Sequence, residues 1–130
     1  DKLIPYFITS LQDGQDLTVH GTGEQVRYFL NIDDFVDAVE LVMDKGENRN
    51  IYNVSTDESY TVLEVTKMIC DGMGKDFDES VEYVEDRPFQ DPIYLSNNNK
   101  LCGLGWKPKR FLNEIMPELI DWYTSNRNFF

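Results

Sequence analysis

The stretch HGTGEQVRYFLNIDD, His20 to Asp34, is the part of this 130-residue chain around which the rest can be placed. It sets two glycines beside the only histidine, then an arginine inside an apolar, β-branched and aromatic run, and closes on paired aspartates. That order reads as a strand, a turn, a strand over Val26 to Ile32 and the start of a helix. Glycine lets backbone come close to a ligand, and arginine offers a planar fork of donors suited to phosphate. Two readings stand side by side: an anion-recognition loop, or a hairpin turn whose arginine is a surface charge.

Working outward toward the N-terminus, Leu17 to His20 is a short strand, and Asp13-Gly14 ends a helix over Lys2 to Leu11. In that helix Leu3, Tyr6, Phe7 and Leu11 share one face, and Pro5 sits in the tolerant first turn. The two strands flanking Gly21 and Gly23 either pair as a hairpin or enter different sheets. In the other direction, Asp33 or Asp34 is expected to cap a helix with Val36, Val39 and Val42 or Met43 on its apolar side. Asp37, Glu40 and Asp44 fall on its polar side, and Gly46 is its stop. Ile51 to Val54 reads as a short strand buried on both faces, as in a parallel sheet. Thr61 and Glu64 form a capping box for a helix ending at Gly72 or Gly74. Val81 to Val84 reads as a strand, followed by the polar, proline-broken EDRPFQDP segment. A last helix over most of Leu112 to Asn126 carries Ile115, Leu119 and Trp122 inward; Pro117 is tolerated near its start if Asn113 is the cap, and kinks the helix otherwise.

Composition narrows the function classes. The chain has 24 acids against 12 bases, a net charge of −12, and 41% hydrophobic residues. Such a content suits one compact domain, and such a charge repels nucleic acid and anionic membrane surfaces, so phosphate binding requires a local gathering of bases. Cys70 and Cys102 lack the spacing of a metal or redox pair, and one histidine gives no zinc ligand set; both thiols read as reduced, in a cytoplasmic protein. No run approaches the length of a membrane span. The start at Asp1, directly in a helical pattern, reads as a fragment of a longer chain.

Several signatures of catalysis are missing. No tyrosine is followed four residues later by lysine, and there is no GxxxxGK[ST] loop. The glycine pairs Gly21/Gly23, Gly72/Gly74 and Gly103/Gly105 lack the third glycine and the strand-to-helix setting of a dinucleotide fingerprint. No serine or cysteine has an identifiable histidine relay.

Seven separated segments together resemble one family. KLIP at Lys2 to Pro5, HGTGEQVR at His20 to Arg27, the helix start at Asp33, YNV at Tyr52 to Val54, EDRPFQDPIY at Glu85 to Tyr94, LGWKP at Leu104 to Pro108 and Trp122-Tyr123 are similar to the nucleoside-diphosphate-sugar 4,6-dehydratases. These are extended short-chain dehydrogenase/reductase enzymes. The resemblance implies an α/β fold and a C-terminal, substrate-binding lobe of an extended Rossmann-type enzyme over residues 1–130. NAD, the catalytic threonine with its acidic pair, and the tyrosine-lysine pair would belong to a missing N-terminal half, so no catalytic residue is expected in this fragment.

Carried over position by position, the resemblance places Lys2 and Leu3 along the nucleotide, and His20 with Gly21 against the nucleobase. Arg27 and Arg87 would grip the diphosphate, Asn53 would support the same site, and Gln90 and Tyr94 would lie in the substrate pocket. Two separated arginines converging on a diphosphate is good anion chemistry for a chain otherwise so acidic. The whole enzyme would oxidise a nucleotide-linked glucose at C4 using NAD, lose water across C5 and C6 and return the hydride to C6. The forms Thr18-Val19-His20-Gly21 and Arg87-Pro88-Phe89 look more like plant and animal members, which favours UDP-glucose over dTDP-glucose. A nucleotide-sugar epimerase or decarboxylase, and a free-standing non-catalytic binding module, are the alternatives. The resemblance further implies a homodimeric parent and an unpartnered helix face and strand edge in the isolated chain, which should therefore self-associate.

Overall fold

The computed structural model describes residues 2–88 and 96–127. Helix α1 (Leu3–Gln12) leads into strand β1 (Leu17–His20), then β2 (Val26–Tyr28) and α2 (Ile32–Lys45). After an irregular stretch come β3 (Ser59–Thr61), α3 (Val62–Gly72), the single turn α4 (Phe77–Ser80) and β4 (Val81–Val84). Short α5 (Asn99–Gly103) and long α6 (Leu112–Ser125) complete the order. This is an α/β arrangement of helices around two small sheets, as expected.

The strands around Gly21 and Gly23 do not form a hairpin. β1 pairs in parallel with β4, in a register that sets Leu17 against Val81 and His20 against Val84. β2 pairs antiparallel with β3, Arg27 opposite Tyr60. Both glycines take positive φ, 61° and 72°, in the turn that carries the chain from one sheet to the other. Gly23 is buried, and a Cβ there would lie 2.7 Å from Leu63 Cγ. The turn thus sits on the start of α3, whose Leu63 and Val62 amides donate to the carbonyls of Gly23 and Gln25. The Thr61/Glu64 capping box is present in full.

The main core joins Phe7, Ile8 and Leu11 of α1, Leu17 of β1, Val65, Ile69 and Cys70 of α3, and Leu112, Met116 and Ile120 of α6. A smaller cluster holds Ala38, Leu101 and Trp106, with Leu30, Leu41, Val42, Tyr52 and Val54 against it. On α1 the buried face is rotated from the expected one: Ile8 is enclosed and Tyr6 is exposed. α6 is rotated likewise. Met116 and Ile120 point inward, Ile115 and Leu119 are half-buried, and Trp122 is exposed and packed edge-on against Tyr123. Two adjacent faces of each helix are apolar, and only the position of neighbouring elements chooses between them.

Three further expectations need correction. Asn31, rather than Asp33 or Asp34, caps α2, its side chain accepting from the Asp33 amide at 2.8 Å. β2 accordingly stops at Tyr28. Ile51 to Val54 is not a strand; Ile51 is 81% exposed and Asn53 is also exposed. A strand exists only with a neighbour to bond, and the described residues offer this segment none. At α6, Phe111 rather than Asn113 is the cap residue, so Pro117 lies past the first turn and removes one intrahelical bond. Valines 36 and 39 and Met43 of α2, with Phe35, are exposed, the unpartnered helix face expected of the isolated chain.

Asp34 has a role unlike a cap. It is fully buried and accepts from the Lys109 and Arg110 amides at 2.9 and 3.0 Å and from Arg110 Nη1 at 2.6 Å. Its own carbonyl accepts from Trp106 Nε1 at 3.0 Å. One carboxylate therefore ties α2 to the segment that leads into α6. Asp37, expected on a polar face, meets Lys109 at 2.9 Å, and that hydrogen bond holds its carboxyl below the usual carboxylate range.

Candidate functional site

An open cleft of about 940 Å³ lies between the start of α1, the end of β1 and the β2–α2 connection. It falls within the usual size of ligand pockets. Lys2 and Leu3 line it from the first turn of α1, Thr18 and His20 from β1, Gln25, Arg27 and Tyr28 from the turn and β2, and Arg87 from the segment after β4. Among the described residues that line it there are three cations, Lys2, Arg27 and Arg87, and no acid. In a chain whose acids outnumber its bases two to one, this is the local gathering of bases that anion binding requires.

The local sequence explains how these groups meet. Period-two alternation puts Thr18 and His20 on the same side of β1, opposite buried Leu17 and Val19. The parallel ladder continues past His20, with the Gly21 amide donating to the Val84 carbonyl at 2.9 Å, and so delivers Glu85 to Arg87 beside the glycine turn. Asp86 holds the junction: its Oδ1 accepts from the Arg87 amide at 2.8 Å and from Gln25 Nε2 at 3.3 Å. A Cβ at Gly21 would lie 2.8 Å from Asp86 Cγ, so both the turn conformation and this close approach call for glycine.

At the centre, His20 Nδ1 lies 3.2 Å from the Glu85 carbonyl oxygen, and His20 Nε2 lies 3.2 Å from Arg87 Nη2. Arg27 Nη1 donates to its neighbour's carbonyl at Val26 at 2.7 Å. Behind Arg27, Tyr60 donates from its hydroxyl to Glu58 at 2.8 Å, and burial, with the Glu58 carboxylate beside it, pushes the phenol up to about 12. Glu58 also accepts from the Leu112 amide at 2.9 Å, supplying from a distant loop the cap that α6 lacks locally.

Of the residues singled out from the sequence, Lys2, Leu3, His20, Arg27 and Arg87 come together in this one cleft, and Gly21 forms its turn. Asn53 does not join them. It is exposed, does not line the cleft, and donates from Nδ2 to the Asn97 carbonyl at 3.2 Å. Gln90 and Tyr94 lie outside the described residues. Tyr6, Thr18, Gln25 and Tyr28 line the cleft without having been singled out. Thr18 was readable as the i−2 neighbour of His20 on its strand; the others carry no local signal.

The glycine pairs do not fit a dinucleotide. Gly21/Gly23 joins two strands, and Gly72/Gly74 and Gly103/Gly105 lie at helix C-termini, none between a strand and the N-terminus of a helix. No helix among the described residues is long and apolar enough to cross a membrane.

A trifunctional UDP-glucose 4,6-dehydratase/UDP-4-keto-6-deoxy-D-glucose 3,5-epimerase/UDP-4-keto-L-rhamnose-reductase of Arabidopsis thaliana is 39% identical over 97% of this chain and 19% of its own length. A dTDP-D-glucose 4,6-dehydratase of Bos taurus is 38% identical over 97% of this chain and 37% of its own. A dTDP-glucose 4,6-dehydratase of Streptomyces venezuelae, solved with NAD bound, superimposes with a TM-score of 0.91 at 32% identity, over 99% of this chain and 40% of that one. The chain thus spans well under half the length of these relatives. The family model for GDP-mannose 4,6 dehydratase matches residues 1–119, and the chain belongs to that family.

Proposed function

We propose that this chain is the nucleotide-sugar-binding part of an NAD-dependent nucleoside-diphosphate-glucose 4,6-dehydratase, a lyase on the route to 6-deoxy sugars such as rhamnose. The observation that carries the reading is the cleft whose described lining holds Arg27 from β2 and Arg87 from the segment after β4 but no acid, in a chain of net charge −12. Two guanidinium groups brought from different sheets can each give paired, charge-assisted hydrogen bonds to a diphosphate. Lys2 adds a third positive charge, and Leu3, Tyr6 and Tyr28 offer apolar and aromatic surface beside it. The ring of His20 at the cleft suits the flat face of a nucleobase.

The chain's own glycine turns do not suit NAD, so the cofactor is assigned to residues outside this stretch, and with it the proton and hydride transfers. This part binds and orients; Gln90 and Tyr94 are proposed to complete the sugar side of the pocket. Asn53, tied to the Asn97 carbonyl outside the cleft, is given no part in binding. The nucleobase is proposed to be uracil. Relatives acting on UDP-glucose and dTDP-glucose are nearly equally similar, at 39% and 38%, and the His-Gly and Arg-Pro-Phe forms tip the balance. The two free thiols suit a reducing compartment such as the cytoplasm.

Titration of the chain with UDP, followed residue by residue by NMR, tests the reading. Weak binding is expected, because part of the site lies elsewhere, with shift changes centred on Leu3, His20, Arg27 and Arg87 and lost in Arg27→Ala. Changes centred instead on a second groove lined by Val54, Thr56, Asp57 and Ser96, or none at all, would overturn it. For the longer enzyme, turnover of UDP-glucose above dTDP-glucose is expected; the reverse would reassign the base.

A further inference from the structure

We infer that His20 is a positioning residue for Arg87: locked as the tautomer that carries its proton on Nδ1, the imidazole ring bridges the Glu85 carbonyl to the arginine and holds the guanidinium at the cleft. The inference rests on the nucleotide-binding reading for its purpose but not for its geometry.

The tautomer follows from what the two partners can do. A carbonyl oxygen only accepts, and a guanidinium only donates. His20 Nδ1 faces the Glu85 carbonyl at 3.2 Å and Nε2 faces Arg87 Nη2 at 3.2 Å. Only a neutral ring with Nδ1–H and a bare Nε2 satisfies both contacts. The other tautomer sets a lone pair against the carbonyl and an N–H against the guanidinium, losing both; a doubly protonated ring loses the second.

Arg87 needs such a holder. It is exposed, it follows the last ladder bond of β4, and a free arginine side chain carries several accessible rotamers whose loss opposes binding. Among the described residues the Arg87 guanidinium makes no ion pair with Asp86, whose Oδ1 accepts instead from the Arg87 amide and Gln25. The ring, in contrast, is anchored at both ends of the motif. It stands on β1, and its second nitrogen is tied to the main chain one residue before Asp86. One of the five guanidinium donors goes to His20, and the remainder of the fork is available to an anion in the cleft.

The only histidine in the chain makes the test direct. In the ¹⁵N-labelled chain, long-range ¹H–¹⁵N correlation of the imidazole in neutral buffer should show the Nδ1–H tautomer, and Arg87→Ala, which leaves only the Glu85 carbonyl to select it, should raise the share of the Nε2–H form. A ring protonated on Nε2, or a tautomer indifferent to Arg87→Ala, overturns the inference whatever UDP does. For the functional consequence, His20→Phe, which keeps a ring but no acceptor, should weaken UDP about tenfold, the worth of one hydrogen bond to a charged group. In the His20→Phe background, Arg87→Ala should cost little more; fully additive losses would mean that the two residues act separately, and would overturn the positioning role. If UDP fails to bind the native chain while the tautomer and its dependence on Arg87 come out as stated, the positioning contact stands and the nucleotide reading falls.

Discussion

Asp34 and Asp33 are neighbours in sequence and of identical chemistry, yet replacing them should have very different consequences. Asp34 has a side chain 1% exposed and receives three donors, two of them main-chain amides of Lys109 and Arg110 and the third the Arg110 guanidinium at 2.6 Å. Asp34→Ala leaves the two amides without their acceptor and removes the closest partner of Arg110. Breaking a buried charge pair costs about 3–5 kcal/mol, and because Arg110 is about one-third exposed and keeps Asp33 and Asp37 nearby, about 3 kcal/mol is expected. For a chain of this size that corresponds to a fall of about 10–15 °C in Tm. Asp33, with a side chain 66% exposed and 3.6 Å from Arg110, should change stability by under about 0.5 kcal/mol when made alanine. Thermal unfolding followed by circular dichroism, with urea titration as a second measure, compares the two variants. A fall of less than about 3 °C in Asp34→Ala, or equal falls in both, would refute the view that this carboxylate ties α2 to the approach of α6.

Glu58→Ala should cost about 1–2 kcal/mol in urea unfolding, since it removes the cap of α6 and the acceptor of Tyr60 together, and Glu58→Gln should cost less. The Tyr60 phenol ionises near 10 in an unfolded chain and near 12 in the folded one, so between those values the native state holds the extra proton. The stability it contributes is present below pH 10 and is lost as pH rises toward about 12. Urea midpoints across that range should therefore fall with pH, less steeply in Tyr60→Phe; an unchanged slope would remove Tyr60 as the cause. The exposed face of α2, with Val36 46%, Val39 40% and Met43 82% exposed, should drive concentration-dependent self-association in sedimentation experiments. Val36→Glu with Met43→Glu should shift the chain toward monomer, and a native chain that is monomeric at every concentration would count against an adhesive face.

Much of this protein was legible in one dimension because the signals concerned are local. The Thr61/Glu64 box, the strand Leu17 to His20, the strand Val81 to Val84 and the glycine stops depend on dihedral preferences and neighbours a few residues away, and each occurs where the pattern places it. The resemblance carried by separated motifs named the family, and five of the residues it singled out, Lys2, Leu3, His20, Arg27 and Arg87, line one cleft.

What the sequence could not decide were choices settled by partners far along the chain. Whether β1 joins β2 or β4 turns on a ladder spanning sixty residues, and on a turn that only Gly21 and Gly23 can make against Asp86 and Leu63. Which of two apolar faces α1 and α6 bury depends on how they lean on α3. Asp34 looked like a cap because acids favour helix starts; it became a buried bridge because Arg110 arrives beside it from 76 residues away. The IYNV segment kept its apolar pattern but found no strand to pair with among the described residues. The same holds at the cleft. From HGTGEQVR the sequence determined which groups could grip an anion, but only the tertiary structure set Arg87 against His20, because that contact belongs to the parallel pairing of β1 with β4 and to no local rule.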